Sequence, residues 1–190
     1  MYKRPFVFLV LGSMLLMAGN AAAFDKERRG FVLGLGAGYG SAKQTVSASS
    51  GGSGVDVSTS SGGIATDFRI GSGINDQFLL YWTSQQVFFS KFETLWAQGI
   101  GGLGASYFLE PAAPSFFFEA ALGLGGLIWV EEYEADTGFG FMLGAGYEFS
   151  PNWCVELSYF HASVGSETEN MVKLDQSVSN IRVTVSWLAY

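Results

Sequence analysis

Charge and cysteine are both scarce in this chain. Charged residues make up only 14% of it, and 17 acids stand against 10 Lys and Arg. A net charge of −7 with no basic cluster would repel a phosphate backbone, which excludes nucleic acid as a partner. Cys154 is the single cysteine, so no disulfide forms within the chain. The sequence also holds no metal-ligand cluster, phosphate-binding loop or nucleotide motif, and we expect no cofactor and no metal.

The longest hydrophobic run lies at the N-terminus, and it is too short to cross a membrane as a helix. Lys3 and Arg4 precede an apolar stretch from Phe6 to Met17, which falls below the roughly 20 residues of a membrane-spanning helix. Residues 20–23, Asn-Ala-Ala-Ala, supply the small side chains that signal peptidase requires. The pattern predicts a cleaved signal peptide over residues 1–23 and an exported domain over residues 24–190. An uncleaved membrane anchor is the alternative.

Hydrophobic residues are nevertheless abundant. They make up 48% of the chain, and aromatic residues make up 16%. An apolar surface without a helical span is typical of a transmembrane β-barrel, because the lipid face is divided among alternate residues of many short strands.

Apolar and small or polar residues alternate along the whole exported domain, between turn-rich segments. The alternation predicts an all-β, eight-stranded, antiparallel, up-and-down barrel, the smallest even number for a bacterial single-chain barrel. Glycines and charged residues lie on one face of the strands, and large apolar residues lie on the other. In the seventh strand, for example, Glu156 shares a face with Cys154 and Ser158, whereas Trp153 and Val155 share the opposite face. The third strand is too uniformly apolar for its faces to be assigned. The predicted strands are residues 30–41, 62–72, 77–88, 92–109, 116–130, 138–149, 153–163 and 177–190.

The connections alternate in length. Short turns follow the even strands at residues 72–76, 110–115 and 150–152, and longer polar segments follow the odd strands. This alternation predicts periplasmic turns and extracellular loops. Residues 47–63, mostly Ser and Gly, are expected to form a solvated loop with too little apolar surface to fold.

Three stretches with a Gly-x-Gly repeat, residues 31–39, 117–125 and 143–153, resemble the small outer-membrane β-barrel superfamily that includes the OmpA membrane domain. The resemblance covers the whole exported domain and implies a Gram-negative outer membrane and assembly by the barrel-assembly machinery. It says little of function, because members include structural proteins, adhesins and enzymes. Such chains usually end on an outward aromatic, whereas Tyr190 is out of phase with Val183 and Val185. A bulge or a slipped face is therefore expected near Ala189.

The charged residues of the glycine face are predicted to interlock in the lumen as ion pairs, because an unpaired charge there is costly. An ion path or an acid–base site is the alternative. Eight strands enclose a space that side chains fill, so we expect no solute pore, and a small-conductance porin remains open. The predicted network comprises Asp67, Arg69, Glu119, Glu148, Glu156 and Arg182.

His161 and Ser163 lie two residues apart, on the lipid face of the seventh strand. His161-Ala162-Ser163 resembles the His-x-Ser of the outer-membrane lipid A 3-O-deacylase family, which implies an ester hydrolase with a catalytic triad on the outer wall. Asp175 shares the outward parity of the eighth strand and is the candidate acid. Val164-Gly165 replaces the Asn-Ala-Gly that follows the serine in that family. An interfacial histidine beside lipid head groups is the alternative.

These observations favour a barrel with a structural or surface-interaction role over an enzyme. The expected partners are outer-membrane lipid and lipopolysaccharide, together with the barrel-assembly machinery. The sequence identifies no ligand for the loops.

Overall fold

The computed structural model describes residues 27–50, 53–91, 94–129, 134–169 and 172–190, and the predicted signal peptide lies outside them. These residues form one closed barrel in which each strand is antiparallel to its neighbours in the chain and β1 pairs with β8. None of the described segments is a helix long and apolar enough to cross a membrane. The prediction of an eight-stranded antiparallel barrel is confirmed. The strands are β1 (Gly30–Ser50), β2 (Ser53–Gly73), β3 (Phe78–Lys91), β4 (Thr94–Phe108), β5 (Ser115–Trp129), β6 (Glu134–Ser150), β7 (Trp153–Glu169) and β8 (Val172–Ala189).

The two ends of the barrel differ. The turns between β2 and β3, β4 and β5, and β6 and β7 lie at one end, together with Glu27–Arg29 and the C-terminal Tyr190. We name this the short-turn end. The opposite end carries the hairpins that join odd strands to the next even strands, and we name it the long-hairpin end.

The outer wall is apolar. Alternate residues of every strand are exposed Phe, Leu, Val, Ile, Trp or Tyr side chains, while their neighbours point into the barrel. In β3, whose faces the sequence left open, Leu80 and Trp82 point outward and Leu79 and Tyr81 inward. A soluble protein rarely exposes so large a continuous apolar surface, so this wall is suited to lipid.

Glycines on the inner wall admit large side chains from other strands. A Cβ atom at Gly104 would lie 2.5 Å from the ring of Tyr81, and one at Gly125 would lie 2.5 Å from the ring of Phe160. At Gly144 it would lie 2.5 Å from Oε1 of Glu119. Bulky side chains from other strands therefore occupy the space beside these glycines.

The strands at the long-hairpin end extend well beyond the predicted limits. Residues 47–63, predicted to be a solvated loop, belong in their described part to β1 and β2, which pair from Gly30↔Gly73 to Ser50↔Ser53. The Ser and Gly content suggested a loop, but Val46, Val55 and Val57 alternate with polar residues. Pairing of β1 with both β2 and β8 provides the hydrogen bonds that the composition alone did not predict.

Tyr190 departs from the sequence expectation as well. No register shift occurs near Ala189, and the parity of β8 continues unbroken from Arg182 to Tyr190. The terminal side chain is therefore buried in the barrel instead of facing lipid.

The buried position of Cys154 makes the inner and outer faces testable. In the folded barrel in detergent micelles, we expect its thiol, which has no exposed surface, to resist a small maleimide. In a Cys154→Ser background, a Phe149→Cys variant should react readily, because Phe149 is half exposed on the outer face. Mass spectrometry measures the labelling, and slower migration after boiling verifies folding. Rapid labelling of Cys154 in the folded protein would contradict the assigned faces.

Candidate functional site

A single guanidinium collects three carboxylates in the middle of the lumen. Arg69 Nη2 lies 2.5 Å from Asp67 Oδ2 and 3.1 Å from Glu119 Oε2, and it also contacts Glu156 Oε2. All four side chains are buried. They come from β2, β5 and β7, so the cluster ties three parts of the wall together across the lumen. We name these four residues the Arg69 cluster.

Hydrogen bonds from neighbouring strands support the carboxylates of this cluster. Ser186 donates to Glu156 Oε1, and the Tyr81 hydroxyl donates to Glu119 Oε2 at 3.3 Å. The ring of Tyr81 faces the Arg69 guanidinium at 5.5 Å, which adds a cation–π contact. Among the described residues, no group of His, Cys, Asp and Glu is arranged to hold a metal ion. The cation at the centre of this cluster is Arg69 itself.

Arg182 does not join this ion-pair network, which corrects the sequence prediction. Its Nε donates to the hydroxyl of Ser158 at 2.8 Å, and its two terminal nitrogens have no hydrogen-bond partner among the described residues. The residue is buried on the inner face as predicted. Its expected carboxylate partners instead converge on Arg69. Arg182 makes no direct ion pair with them among the described residues, although it lies near enough to Asp67 and Glu119 to interact with their charges.

Glu148 also lies apart from the Arg69 cluster, in a second cluster at the short-turn end. It is buried and accepts hydrogen bonds from Nε and Nη2 of Arg28 and from the hydroxyl of Tyr190. The register explains the separation, because Glu148 lies opposite Ser115, whereas Glu119 lies opposite Gly144. Four residues along a strand correspond to about 13 Å, which is too far for contact with Arg69.

Arg28 and Asn152 extend this second cluster to the turns around it. Arg28 Nη1 donates to the carbonyls of Asp76 at 2.8 Å and Glu110 at 2.7 Å, in the turns after β2 and β4. Asn152, in the turn after β6, donates a hydrogen bond from its backbone N–H to Glu148 Oε1 at 3.1 Å. Its positive φ of 74° is tolerated by asparagine better than by most residues. We name Arg28, Glu148, Asn152 and Tyr190 the turn-end cap.

The sequence interpretation missed Arg28 and Tyr190. The sequence did contain a signal for Arg28. Four carboxylates were predicted to face inward with only two guanidiniums, and Arg28 supplies a third guanidinium. The signal for Tyr190 was its position in the alternation of the eighth strand, which it shares with the inward-facing residues of that strand. Arg29, next to Arg28, pairs with Asp76 at 2.6 Å on the surface, and this hydrogen bond raises the pKa of Arg29.

Apolar side chains fill the lumen on the long-hairpin side of the Arg69 cluster. They come from all eight strands and form one buried group. We name this group the apolar layer. Its larger members are Val87, Phe89, Ile100, Leu127, Met142, Phe160 and Val178.

The three candidate residues of the outer-wall hydrolase are not brought together as a triad. His161 lies opposite Ser179, Ser163 opposite Ser177, and Asp175 opposite Ser166. Ser163 therefore lies between His161 and Asp175, whereas a triad requires the histidine between the other two. Four residues of β8, about 13 Å, separate the level of His161 from that of Asp175. The imidazole of His161 contacts the ring of Phe141 instead, with centroids 5.8 Å apart.

The different partners of Arg69 and Arg182 predict different costs of removal. Arg69→Met leaves three buried carboxylates without their cation, so we expect the free energy of unfolding to fall by about 3–5 kcal/mol. Arg182→Met removes a similar length of side chain and the hydrogen bond to Ser158, but no direct ion pair, so we expect a smaller loss, of about 1 kcal/mol.

Urea titration of the refolded barrels in detergent, followed by tryptophan fluorescence, measures both losses. Arg182→Met is the matched control, because both arginines are buried on the inner face. Equal losses in the two variants would contradict the assignment of the three carboxylates to Arg69.

Comparison with solved structures finds several bacterial proteins to which this chain is similar. The outer membrane protein OprG from Pseudomonas aeruginosa aligns over 87% of this chain and 99% of its own, with 10% identity and a TM-score of 0.51. Neisserial surface protein A aligns over 83% and 96%, with 20% identity and a TM-score of 0.48. Ail, the attachment invasion locus protein of Yersinia pestis, aligns over 84% and 99%, with 14% identity and a TM-score of 0.41. No curated protein matches the chain.

The family comparison covers nearly the whole sequence. A family described as the outer membrane protein beta-barrel domain matches residues 8–187. The closed antiparallel barrel with an apolar outer wall agrees with this match. The resemblance drawn from the Gly-x-Gly stretches is therefore confirmed, and the outer membrane is the location that the family implies. This chain belongs to the outer membrane protein beta-barrel domain family.

Proposed function

We propose that this protein is a plugged barrel of the Gram-negative outer membrane, with a structural and surface-interaction role. In this proposal the lumen passes no solute and the long-hairpin end makes contacts outside the cell. The observation that carries the proposal is the filling of the lumen at three successive levels. The turn-end cap lies at the short-turn end, the Arg69 cluster in the middle and the apolar layer beyond it.

Each level opposes conduction for a different physical reason. Water entering the apolar layer would have to separate packed side chains of a group that includes the buried Phe89 and Phe160. An ion crossing the middle would have to displace Arg69 from its three carboxylates. At the short-turn end, Arg28 links Glu148 to two turns.

The direction of the barrel follows from its connections. Barrels of this kind have short turns in the periplasm and longer hairpins outside the cell. We therefore place the turn-end cap on the periplasmic side and the long hairpin of β1 and β2 outside. This hairpin reaches Ser50 and Ser53, well above the part of the barrel that is closed on all sides.

Lipid and lipopolysaccharide are the proposed partners of the outer wall. Exposed apolar side chains suit acyl chains, and the polar residues His161, Ser163, Ser177 and Ser179 lie beside one another on the outer face of β7 and β8, towards the long-hairpin end. Such a group suits lipid head groups. The barrel-assembly machinery is the proposed partner during insertion, and it would meet Tyr190 before the barrel closes, because this side chain is buried afterwards.

The two alternative functions receive less support. A lipid A deacylase needs a histidine between its nucleophile and its acid, and the register of β7 and β8 puts Ser163 there instead. A small-conductance porin needs an open lumen, and three filled levels oppose it. Conductance distinguishes the porin from the plugged barrel directly.

Planar-bilayer recordings test the plug. We expect the refolded barrel to give no steady channel, only rare or small openings. Phe160→Ala should raise the frequency of openings, because it removes a fully buried ring from the apolar layer. Leu157→Ala is the control, since Leu157 points outward and its loss leaves the lumen unchanged. A stable pore that passes small sugars through the unaltered protein would identify it as a porin.

Export through a cleaved signal peptide is part of the same proposal. N-terminal sequencing of the protein purified from outer membranes should begin at Phe24. Ala23→Arg should block cleavage and accumulate the longer precursor, because the peptidase needs a small residue there. Ala22→Arg is the matched control, since the residue between the two small positions is not restricted in this way. A mature protein that begins at Met1 would support the uncleaved anchor.

A further inference from the structure

Two tryptophans stack on each other at the long-hairpin end of the lumen. Trp96 of β4 lies opposite Trp129 of β5, and their ring centroids are 5.4 Å apart with the ring planes inclined by 14°. Trp96 also packs against the apolar layer. We name these two residues the tryptophan pair. Because Trp129 shares the parity of the buried Leu127, the pair lies on the inner face of the wall and not on the lipid face.

A small cavity lies beside the tryptophan pair. It has a volume of about 80 Å³, and Leu127, Ala135 and Asp136 line it together with the two indole rings. Asp136 of β6 lies opposite Leu127 and is exposed. It makes no hydrogen bond or ion pair with any described residue. Its carboxylate is therefore available to a molecule that enters the cavity from the solvent.

The charges of this part of the chain have one sign. Between Lys91 and Lys173 the sequence has no lysine and no arginine, and neither of these two lysines lines the cavity. Residues 131–136 alone hold four carboxylates, those of Glu131, Glu132, Glu134 and Asp136. Charges of one sign add up to a local potential that attracts the opposite charge. The surroundings of the cavity therefore favour a cation over an anion.

The residues that line the cavity suit an organic cation better than a metal ion. A divalent metal ion binds several oxygen ligands, whereas Asp136 supplies the one carboxylate among the described lining residues. The face of an aromatic ring attracts a cation, and tryptophan does so most strongly. A primary ammonium group is strongly hydrated, so its burial against an indole is costly. A quaternary ammonium group has methyl groups instead of N–H donors, and aromatic sites commonly bind it.

We propose that the tryptophan pair and Asp136 form a binding site for a quaternary ammonium group of the choline type. The trimethylammonium group would enter the cavity, contact the indole rings and lie beside the carboxylate of Asp136. The cavity is small, so the rest of the ligand would remain in the solvent. This inference goes beyond the proposed function, because binding to the purified barrel does not depend on the direction of the barrel in the membrane.

Titration of choline chloride into the refolded barrel is the first test. The detergent must carry no ammonium group, because such a group would compete for the site. The chain has five tryptophans, so their indole N–H signals can be followed singly by nuclear magnetic resonance and assigned by replacing each with phenylalanine. We expect saturable shifts for Trp96 and Trp129. Trp82 and Trp153, which are exposed on the outer wall, should not respond.

A neutral analogue separates the effect of charge from the filling of an apolar cavity. The alcohol in which a carbon atom replaces the choline nitrogen has the same shape, and we expect it to bind at least about tenfold more weakly. Phosphocholine distinguishes the two sources of this chemistry. Tighter binding of choline would identify a free organic cation as the ligand, whereas tighter binding of phosphocholine would identify a lipid head group.

Two variants with the same chemical change locate the site. Asp136→Asn removes the charge and keeps the shape of the side chain, and choline binding should weaken at least about tenfold. Asp56→Asn is the matched control, because Asp56 is exposed in the hairpin of β1 and β2 and does not line the cavity. Its binding should stay within about twofold. Slower migration after boiling verifies that both variants fold.

Three results would each overturn the inference. The first is the absence of saturable shifts at Trp96 and Trp129, and the second is equal binding of choline and its neutral analogue. The third is an equal loss of binding in Asp136→Asn and Asp56→Asn. The first two comparisons use the unaltered protein, so they decide the question even where a variant does not fold.

Discussion

Every inward-facing side chain of this barrel has to find its partners within a lumen that eight strands make narrow. A buried charge without a partner is costly, and the described lumen holds Arg28, Arg69 and Arg182 together with four carboxylates. The structure divides these charges between two levels, with the exception of Arg182, which hydrogen-bonds to Ser158 and makes no direct ion pair among the described residues. Three carboxylates converge on Arg69 in the middle, and the fourth, Glu148, pairs with Arg28 at the short-turn end. The stability of the barrel therefore depends on these buried ion pairs.

The glycines of the inner wall belong to the same solution. Tyr81, Phe160 and Glu119 are too large for a lumen lined by full side chains, and each occupies space beside a glycine of a neighbouring strand. Tyr81 in turn positions Glu119 through a hydrogen bond and faces Arg69 with its ring. Small and large residues therefore complement one another across the strands of the inner wall.

The two ends of the barrel differ in the contacts that hold their strands. At the short-turn end Arg28, Asn152 and Tyr190 link the turns to both ends of the folded chain, so this end is fastened by buried polar contacts. At the long-hairpin end the pairing of β2 with β3 ends at Ile64, while β2 continues beside β1. Buried polar contacts therefore hold the short-turn end, whereas strand pairing alone extends the opposite end among the described residues.

Period-two alternation by itself determined the strand number, the apolar outer wall and the inward position of Asp67, Arg69, Glu119 and Glu156, because alternate residues of a strand always point to opposite faces. The partners of those charges depended on register and height along the barrel. These quantities separated Glu148 from Arg69 and left Arg182 beside Ser158. Local composition also suggested a loop at residues 47–63, where strand pairing prevailed. Only the tertiary structure brought Arg28 into contact with Glu148, because no local pattern in the sequence relates two residues so distant in the chain.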